Sequence, residues 1–209
     1  MTDSAARPFG PSRWEQMIAA RPEHSQWYIQ RFKDMAAAGH DLAGEARLID
    51  AMVPRGAKVL DAGSGPGRVG GFLLAAGHQV AGIDVDPALI AEAQTVHPTG
   101  QWVVGDLAEF NPAEHNWVGR FDAIVLAGNV ITFLADGSHS AALANLNVAL
   151  APQGRIVVGF GVGRGYELAQ WEQDVAEAGL VESLRLATWD VQPWTPHSDF
   201  LVSILTKIS

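Results

Sequence analysis

The chain contains no cysteine. That excludes disulfides, thiolate metal sites and cysteine nucleophiles, and it suits a reducing compartment. No apolar run approaches the roughly 20 residues that a membrane-spanning helix needs. The segment from Met1 to Trp14 has no apolar stretch, so no secretory leader is expected. Positive charge is scarce: 14 Lys and Arg stand against 23 Asp and Glu, a net charge of −9, and they form no basic run. Polynucleotides are normally met by a cationic surface that replaces their counterions. The expected partner is therefore a small molecule, with no nucleic acid and no membrane, in a cytoplasmic setting. Seven histidines form no His-Glu-x-x-His or other ligand spacing, so no metal is expected.

What the 209 residues do contain is a core-forming alternation, long enough for one domain with a small appended element. Residues 1–11 carry two prolines and a glycine among small residues and read as a loose arm. Ser25 is placed to cap a helix over Gln26–Ala38 that Gly39 ends. Asp41 is placed to cap another, with Leu42, Ala46, Ile49 and Val53 at helical spacing and Pro54 as its stop. From there strands and helices alternate. The strands are Lys58–Asp61, Gln79–Asp84, Trp102–Val104, Phe121–Ala127 and Arg155–Phe160. The helices are Arg68–Ala76, Pro87–Val96 capped by Asp86, Ser138–Leu150 and Glu167–Ala178. Two β-like runs, Leu184–Trp189 and Phe200–Thr206, close the chain with no room between them for a helical crossover, so they pair antiparallel. The expectation is an α/β, doubly wound sheet, with residues 1–54 as arm and helical lid and 55–209 as the ligand-binding unit.

Between the first strand and its helix lies Asp61-Ala62-Gly63-Ser64-Gly65-Pro66-Gly67. Glycines there let the backbone turn sharply and approach a ligand, and the helix start beyond them presents unpaired N–H groups. Two cofactor classes use such a turn. Counted from Gly65, Gly65-x-Gly67-x-x-Gly70 matches the dinucleotide pattern, which is weak evidence alone. A dehydrogenase would also need an acid/base residue for hydride transfer, and no Tyr-x-x-x-Lys pair is present. Counted from Asp61, the turn carries an acid at the strand end, which suits a cofactor ammonium and repels a phosphate. Asp61 as a plain turn or helix cap is the competing reading.

The second count resembles motif I of the class I S-adenosylmethionine (SAM)-dependent methyltransferases, and the resemblance continues in order. Ala81-Gly82-Ile83-Asp84-Val85-Asp86-Pro87 is similar to the second motif, with Asp84 lying 23 residues after Asp61, near the spacing of a ribose carboxylate. Gly105-Asp106-Leu107 is similar to the third, Phe121–Asn129 to the fourth and its loop, and Leu150–Val158 to the turn and strand that follow. The likeness covers about residues 57–160. It implies a seven-stranded Rossmann-like sheet ordered 3-2-1-4-5-7-6 with an antiparallel last pair. It implies SAM as cofactor, S-adenosylhomocysteine (SAH) as product and a small-molecule acceptor.

The same resemblance assigns the site. Asp61, Ala62, Gly63, Ser64, Gly65 and Gly67 would wrap the amino-acid part of SAM. Asp84 would accept from the ribose hydroxyls and Val85 would flank the adenine. Asp106 and the Leu107 N–H would read the adenine edge, with Asp106 as a simple turn residue the alternative. Arg31 and Arg68 are the candidate donors to the cofactor carboxylate, and Tyr28 shares a helical face with Arg31, although such a stripe is more often core. Ala127 and Asn129 end the fourth strand where α/β folds bind ligands. Asn129 would orient acceptor or cofactor, or cap its own loop. His139 is a weak candidate for general base, and His197 and Trp194 sit in a connection able to border an acceptor pocket. No Asn-Pro-Pro-Tyr-like tetrapeptide follows the fourth strand, which argues against adenine or glutamine amides as acceptors. The rival readings are an NAD(P)-binding oxidoreductase and a non-catalytic SAM-binding module.

Overall fold

A computed structural model describes residues 7–208. Of the arm expected over 1–11, residues 1–6 lie outside the described residues. Seven strands form one sheet in the order β3-β2-β1-β4-β5-β7-β6. They are β1 (Lys58–Ala62), β2 (Gln79–Asp84), β3 (Gln101–Val104), β4 (Phe121–Leu126), β5 (Leu150–Gly161), β6 (Leu180–Leu186) and β7 (Phe200–Lys207). The central strands pair in parallel, and β7 runs antiparallel to both β5 and β6. Parallel strands covered on both faces must be apolar throughout. Accordingly Leu60, Ala62, Ala123, Ile124, Val125 and Leu126 are all fully buried.

The helices between strands are α4 (Arg68–Ala75), α5 (Pro87–Val96), α7 (His139–Ala149) and α8 (Leu168–Glu177). Three helices precede the sheet: α1 (Arg13–Ala20), α2 (His24–Ala37) and α3 (Gly44–Met52). A short α6 (Val130–Phe133) follows β4. Among the described residues no helix is long and apolar enough to cross a membrane.

Four local expectations are corrected. Ser25 does not cap the helix of residues 24–37 but sits inside it, buried, where its hydroxyl donates to Asp86 Oδ2 at 2.5 Å. A buried carboxylate is a stronger partner than a frayed helix end. Asp41 does not start α3 directly. It accepts from the Ala43 N–H and pairs with Arg47, one turn earlier. The run Leu184–Trp189 is not one strand: β6 starts at Leu180, directly after the turn at Gly179, and ends at Leu186. Trp189 lies beyond it against Gly159 of β5, where a side chain on the glycine would collide with the indole. Finally, α1 and α6 were not anticipated as separate helices. Ser12 and Glu15 form a reciprocal capping box that starts α1.

The lid is fastened to the sheet through Asp86. This carboxylate, 2% exposed, caps α5 by accepting from the Ala88 N–H at 2.8 Å. It also accepts from Trp14 Nε1 of α1 at 2.9 Å and from Ser25 of α2. Lys33 of α2 pairs with Glu92 of α5 alongside. One aspartate thus joins both lid helices to the strand-end loop after β2. Asp86→Ala removes the cap and orphans two buried donors. It should lower stability by roughly 2–4 kcal/mol in urea denaturation, and a loss below about 1 kcal/mol would refute this latch.

Candidate cofactor and acceptor site

Between β1 and β4 the strand order reverses, which in open α/β sheets opens a crevice at the carboxyl ends of the strands. A cavity of about 480 Å³ lies there, within the range of small-molecule sites. Its floor is the loops after β1 to β4: Gly63 and Gly65, then Asp84 and Val85, then Gly105 to Leu107, then Ala127 to Val130. Its roof is Trp14, Tyr28, Arg31 and Phe32 from the lid, with Glu45 and Arg68 at one end and Phe133 and Leu134 at another.

The turn itself is shaped by φ values of +76° at Gly63, +54° at Gly65 and +81° at Gly67, a conformation that only glycine adopts without strain. Gly63 also has no room for a Cβ, which would strike Val130. Gly70 serves a different purpose. A Cβ there would stand 2.6 Å from the Trp102 ring, so this glycine lets α4 pack on the sheet. Close helix–strand packing is also the role of the third glycine in the dinucleotide pattern, so Gly70 does not separate the two counts.

Of the expected site residues, Tyr28, Arg31, Gly63, Gly65, Arg68, Asp84, Val85, Asp106, Leu107, Ala127 and Asn129 line the cavity. Asp61, Ala62, Ser64 and Gly67 do not. Asp61, 2% exposed, turns under the loop and accepts from the Gly70 N–H at 2.8 Å. Burial raises its carboxyl to about 7, against the pull of that N–H and of Arg68. Ala62 is core, and Ser64 is buried facing Gly82. Gly67 caps α4 and packs on Trp102 and His97.

Asp84 is half-buried and held at both oxygens. Oδ2 accepts from the Gly65 N–H at 2.8 Å and Oδ1 from the Asp86 N–H at 2.9 Å. Burial raises it to about 6, and the backbone N–H groups oppose that rise. Asp106 Oδ1 accepts from the Ala108 N–H at 2.8 Å, and Oδ2 from Arg7 at 2.5 Å. Its carboxyl is also raised, by burial, with Ala108 and Arg7 pulling the other way.

The two candidate arginines differ. Arg68 is committed: it grips both oxygens of Glu45 at 2.6 and 2.8 Å and donates to the Leu42 carbonyl at 2.7 Å. Burial alone would raise the Glu45 carboxyl, and the Arg68 guanidinium overcomes this and holds it below the usual range. Arg31 lies over the Trp27 and Phe32 rings at 5.7 and 5.8 Å and has no carboxylate partner among the described residues. Tyr28, its phenol pushed up by burial, remains a neutral donor. Asn129 takes a left-handed conformation, φ +64°, and its Oδ1 accepts from the Gly161 N–H at 2.7 Å. Its Nδ2 makes no hydrogen bond among the described residues, and the residue lines the cavity.

His139 is excluded from the cavity wall. It is 9% exposed and stacks on Tyr166 at 4.2 Å and 9°. Burial depresses its imidazole, with Asp174 opposing. Tyr166 in turn donates to Asp174 Oδ2 at 2.5 Å. The trio fastens α7 to α8. Trp194 and His197 also stay off the wall: Trp194 packs against the core and carries Arg185 over its ring at 5.3 Å. Sequence reasoning missed Trp14, Phe133 and Glu45 as wall residues. The Ser12-x-x-Glu15 capping box would have located α1 and hence Trp14. No local signal announces Glu45, whose role is a long-range pair with Arg68.

Residues 59–154 match a family profile described as a methyltransferase domain. The chain is 47% identical to a TehB-like SAM-dependent methyltransferase from Corynebacterium glutamicum, over 90% of this chain and 100% of that one, with a TM-score of 0.85. It shares 18% identity with the CcbJ methyltransferase from Streptomyces caelestis, over 82% and 92% of the two chains, at a TM-score of 0.70. It shares 19% with a Burkholderia thailandensis 1,6-didemethyltoxoflavin-N1-methyltransferase, solved with its substrate and SAH, over 100% and 98%, at 0.61. The last two likenesses are of fold. No curated protein sequence matches significantly. A seven-stranded sheet with a reversed last strand and an acid-lined crevice at its switch point defines the SAM-dependent methyltransferase class. The chain belongs to that family, and its cofactor is S-adenosylmethionine, which closes the oxidoreductase alternative.

Asp61 makes one physical demand on the unliganded protein. A carboxyl raised from 3.8 to about 7 on folding favours the native state while protonated. That contribution is complete below the unfolded value and is lost as pH rises through the folded one. Asp61→Asn keeps an oxygen acceptor for the Gly70 N–H and removes the titration. The variant should therefore gain stability over the wild type as pH climbs from about 4 to about 7, then level off. Thermal melts at fixed ionic strength read this difference, and a pH-independent gap would contradict it.

Proposed function

We propose that the protein transfers the methyl group of SAM to a small-molecule acceptor by in-line displacement. Asp84 carries the reading. Two backbone N–H groups fix its carboxylate at the cavity rim, and each oxygen keeps a free lone pair, which is the arrangement that two vicinal ribose hydroxyls require. Around it, Val85 flanks the adenine and Asp106 accepts from the adenine amino group, with the Leu107 N–H meeting a ring nitrogen. Arg31 is the cation for the cofactor carboxylate, because Arg68 is spent on Glu45. Gly63, Gly65 and Ala127 bring backbone to the amino-acid part. Asp61 acts through the turn it braces.

When bound, SAM supplies a methyl group on a positively charged sulfur, and an acceptor lone pair displaces that sulfur in line. The protein's part is to hold the acceptor in place and exclude water. Trp14 stands edge-on to Tyr28 and Phe133, with ring centres 5.2 and 6.1 Å apart, and these three rings wall the remainder of the cavity. Asn129 Nδ2 is the polar donor beside them. With His139 stacked away in the α7–α8 contact, a neutral imidazole base is missing from the cavity wall among the described residues.

Isothermal titration with SAM, SAH, 5′-methylthioadenosine and NADH tests the reading. SAM and SAH should bind and NADH should not. Asp84→Ala should weaken SAH and methylthioadenosine alike, by roughly 1–3 kcal/mol, because both carry the ribose. Arg31→Ala should weaken SAH and leave methylthioadenosine, which lacks the carboxylate, unchanged. Equal affinity of wild type and Asp84→Ala for both ligands would remove Asp84 from the site.

A further inference from the structure

Arg7 precedes the first helix and belongs to none of the motifs, yet its guanidinium ends beside the adenine end of the cavity. Nη2 donates to Asp106 Oδ2 at 2.5 Å, Nε to Glu109 at 2.8 Å and Nη1 to Glu15 at 2.6 Å. Glu15 is itself locked in the capping box of α1. One cation therefore gathers three carboxylates, one from the lid and two from the loop after β3.

The consequence for Asp106 is geometric. Its Oδ1 is set by the Ala108 N–H and its Oδ2 by Arg7. With both oxygens anchored, the carboxylate has a fixed plane and remains an acceptor. Without Arg7 one anchor is gone, and Asp106 faces Glu15 and Glu109 with no shared cation between them. Rotation or protonation would then relieve the crowding, and a protonated carboxyl presents a donor where an acceptor is needed.

We propose that Arg7 is a positioning residue for base recognition: it holds the Asp106 carboxylate as the acceptor for the exocyclic amino group of the cofactor's adenine. Arg7 is then part of the machinery that tells adenine from other purines, although it is not itself among the residues that line the cavity. The proposal rests on the reading of Asp106 as the partner of adenine.

The test compares SAH with S-inosylhomocysteine, whose 6-oxo group accepts where the adenine amino group donates. Full-length wild type, Asp106→Asn, Arg7→Ala and Arg7→Lys are titrated with both. Wild type should prefer SAH by at least about tenfold, since a site built around a donor rejects its acceptor analogue. Asp106→Asn should lose the share of the preference set at position 6, because an amide can turn to donate, whereas the share set by the Leu107 N–H against the protonated N1 of hypoxanthine should remain. Arg7→Ala should lose most of the share that Asp106→Asn loses, and Arg7→Lys, which keeps the charge without the fork, should recover part. A purely structural role would weaken both ligands in proportion and leave the ratio intact. That result, or an unchanged Arg7→Ala beside an Asp106→Asn whose preference has fallen, overturns the role of Arg7 while leaving Asp106 in place. Retention of the full wild-type preference in Asp106→Asn overturns the reading of Asp106, and the proposal with it.

Discussion

Four carboxylates meet at the carboxyl ends of β1 to β3, and each is held there by at least one backbone N–H. Asp61 takes Gly70, Asp84 takes Gly65 and Asp86, Asp86 takes Ala88, and Asp106 takes Ala108. Carboxylates removed from water need such donors. These N–H groups are available because loops and helix starts leave them unpaired. The bonds in turn dictate the loops: Asp61 closes the glycine turn onto α4, and Asp84 ties that turn to the loop after β2. The compensation is incomplete, which is why Asp61 rises to about 7 and Asp84 to about 6.

The lid is an extension of the same network. Asp86 accepts from Trp14 and Ser25 while capping α5, so an acid belonging to the sheet sets the height of α1 and α2 over the cavity. Once Trp14 is fixed, Tyr28 and Phe133 meet it edge-on. This stretch of the cavity wall is therefore assembled from three separated segments around a carboxylate two residues beyond Asp84.

Much of this was legible in the sequence, for reasons that differ from residue to residue. Buried parallel strands must be continuous apolar runs, so β1, β2 and β4 were placed within a residue or so. Asp86-Pro87 is a cap followed by a proline whose missing N–H costs nothing at that position. The acids at strand ends were found because loop positions are short in sequence and spatially constrained. What escaped depends on distance. Ser25 looks like a helix cap until a carboxylate 61 residues away claims its hydroxyl. Arg68 looks like a free cation until Glu45 takes both of its arms. Asp61 looks like a ligand residue, yet the N–H nine residues on draws it beneath the loop. His139 looked available, but the ring of Tyr166, brought in by α8, covers it. Local chemistry names the residue types a site needs, whereas the partner that occupies each is chosen by the tertiary fold.

The roof of the cavity is bonded to the same strand-end loops that form its floor. Any widening of the cavity on this side would part Trp14 and Ser25 from Asp86 and loosen the ion pairs of Arg7 and of Lys33. Such openings run on microsecond-to-millisecond scales and often limit turnover in lidded enzymes. The bonds that hold the roof over the cavity are thus the ones whose strength governs how readily that roof can part from its floor.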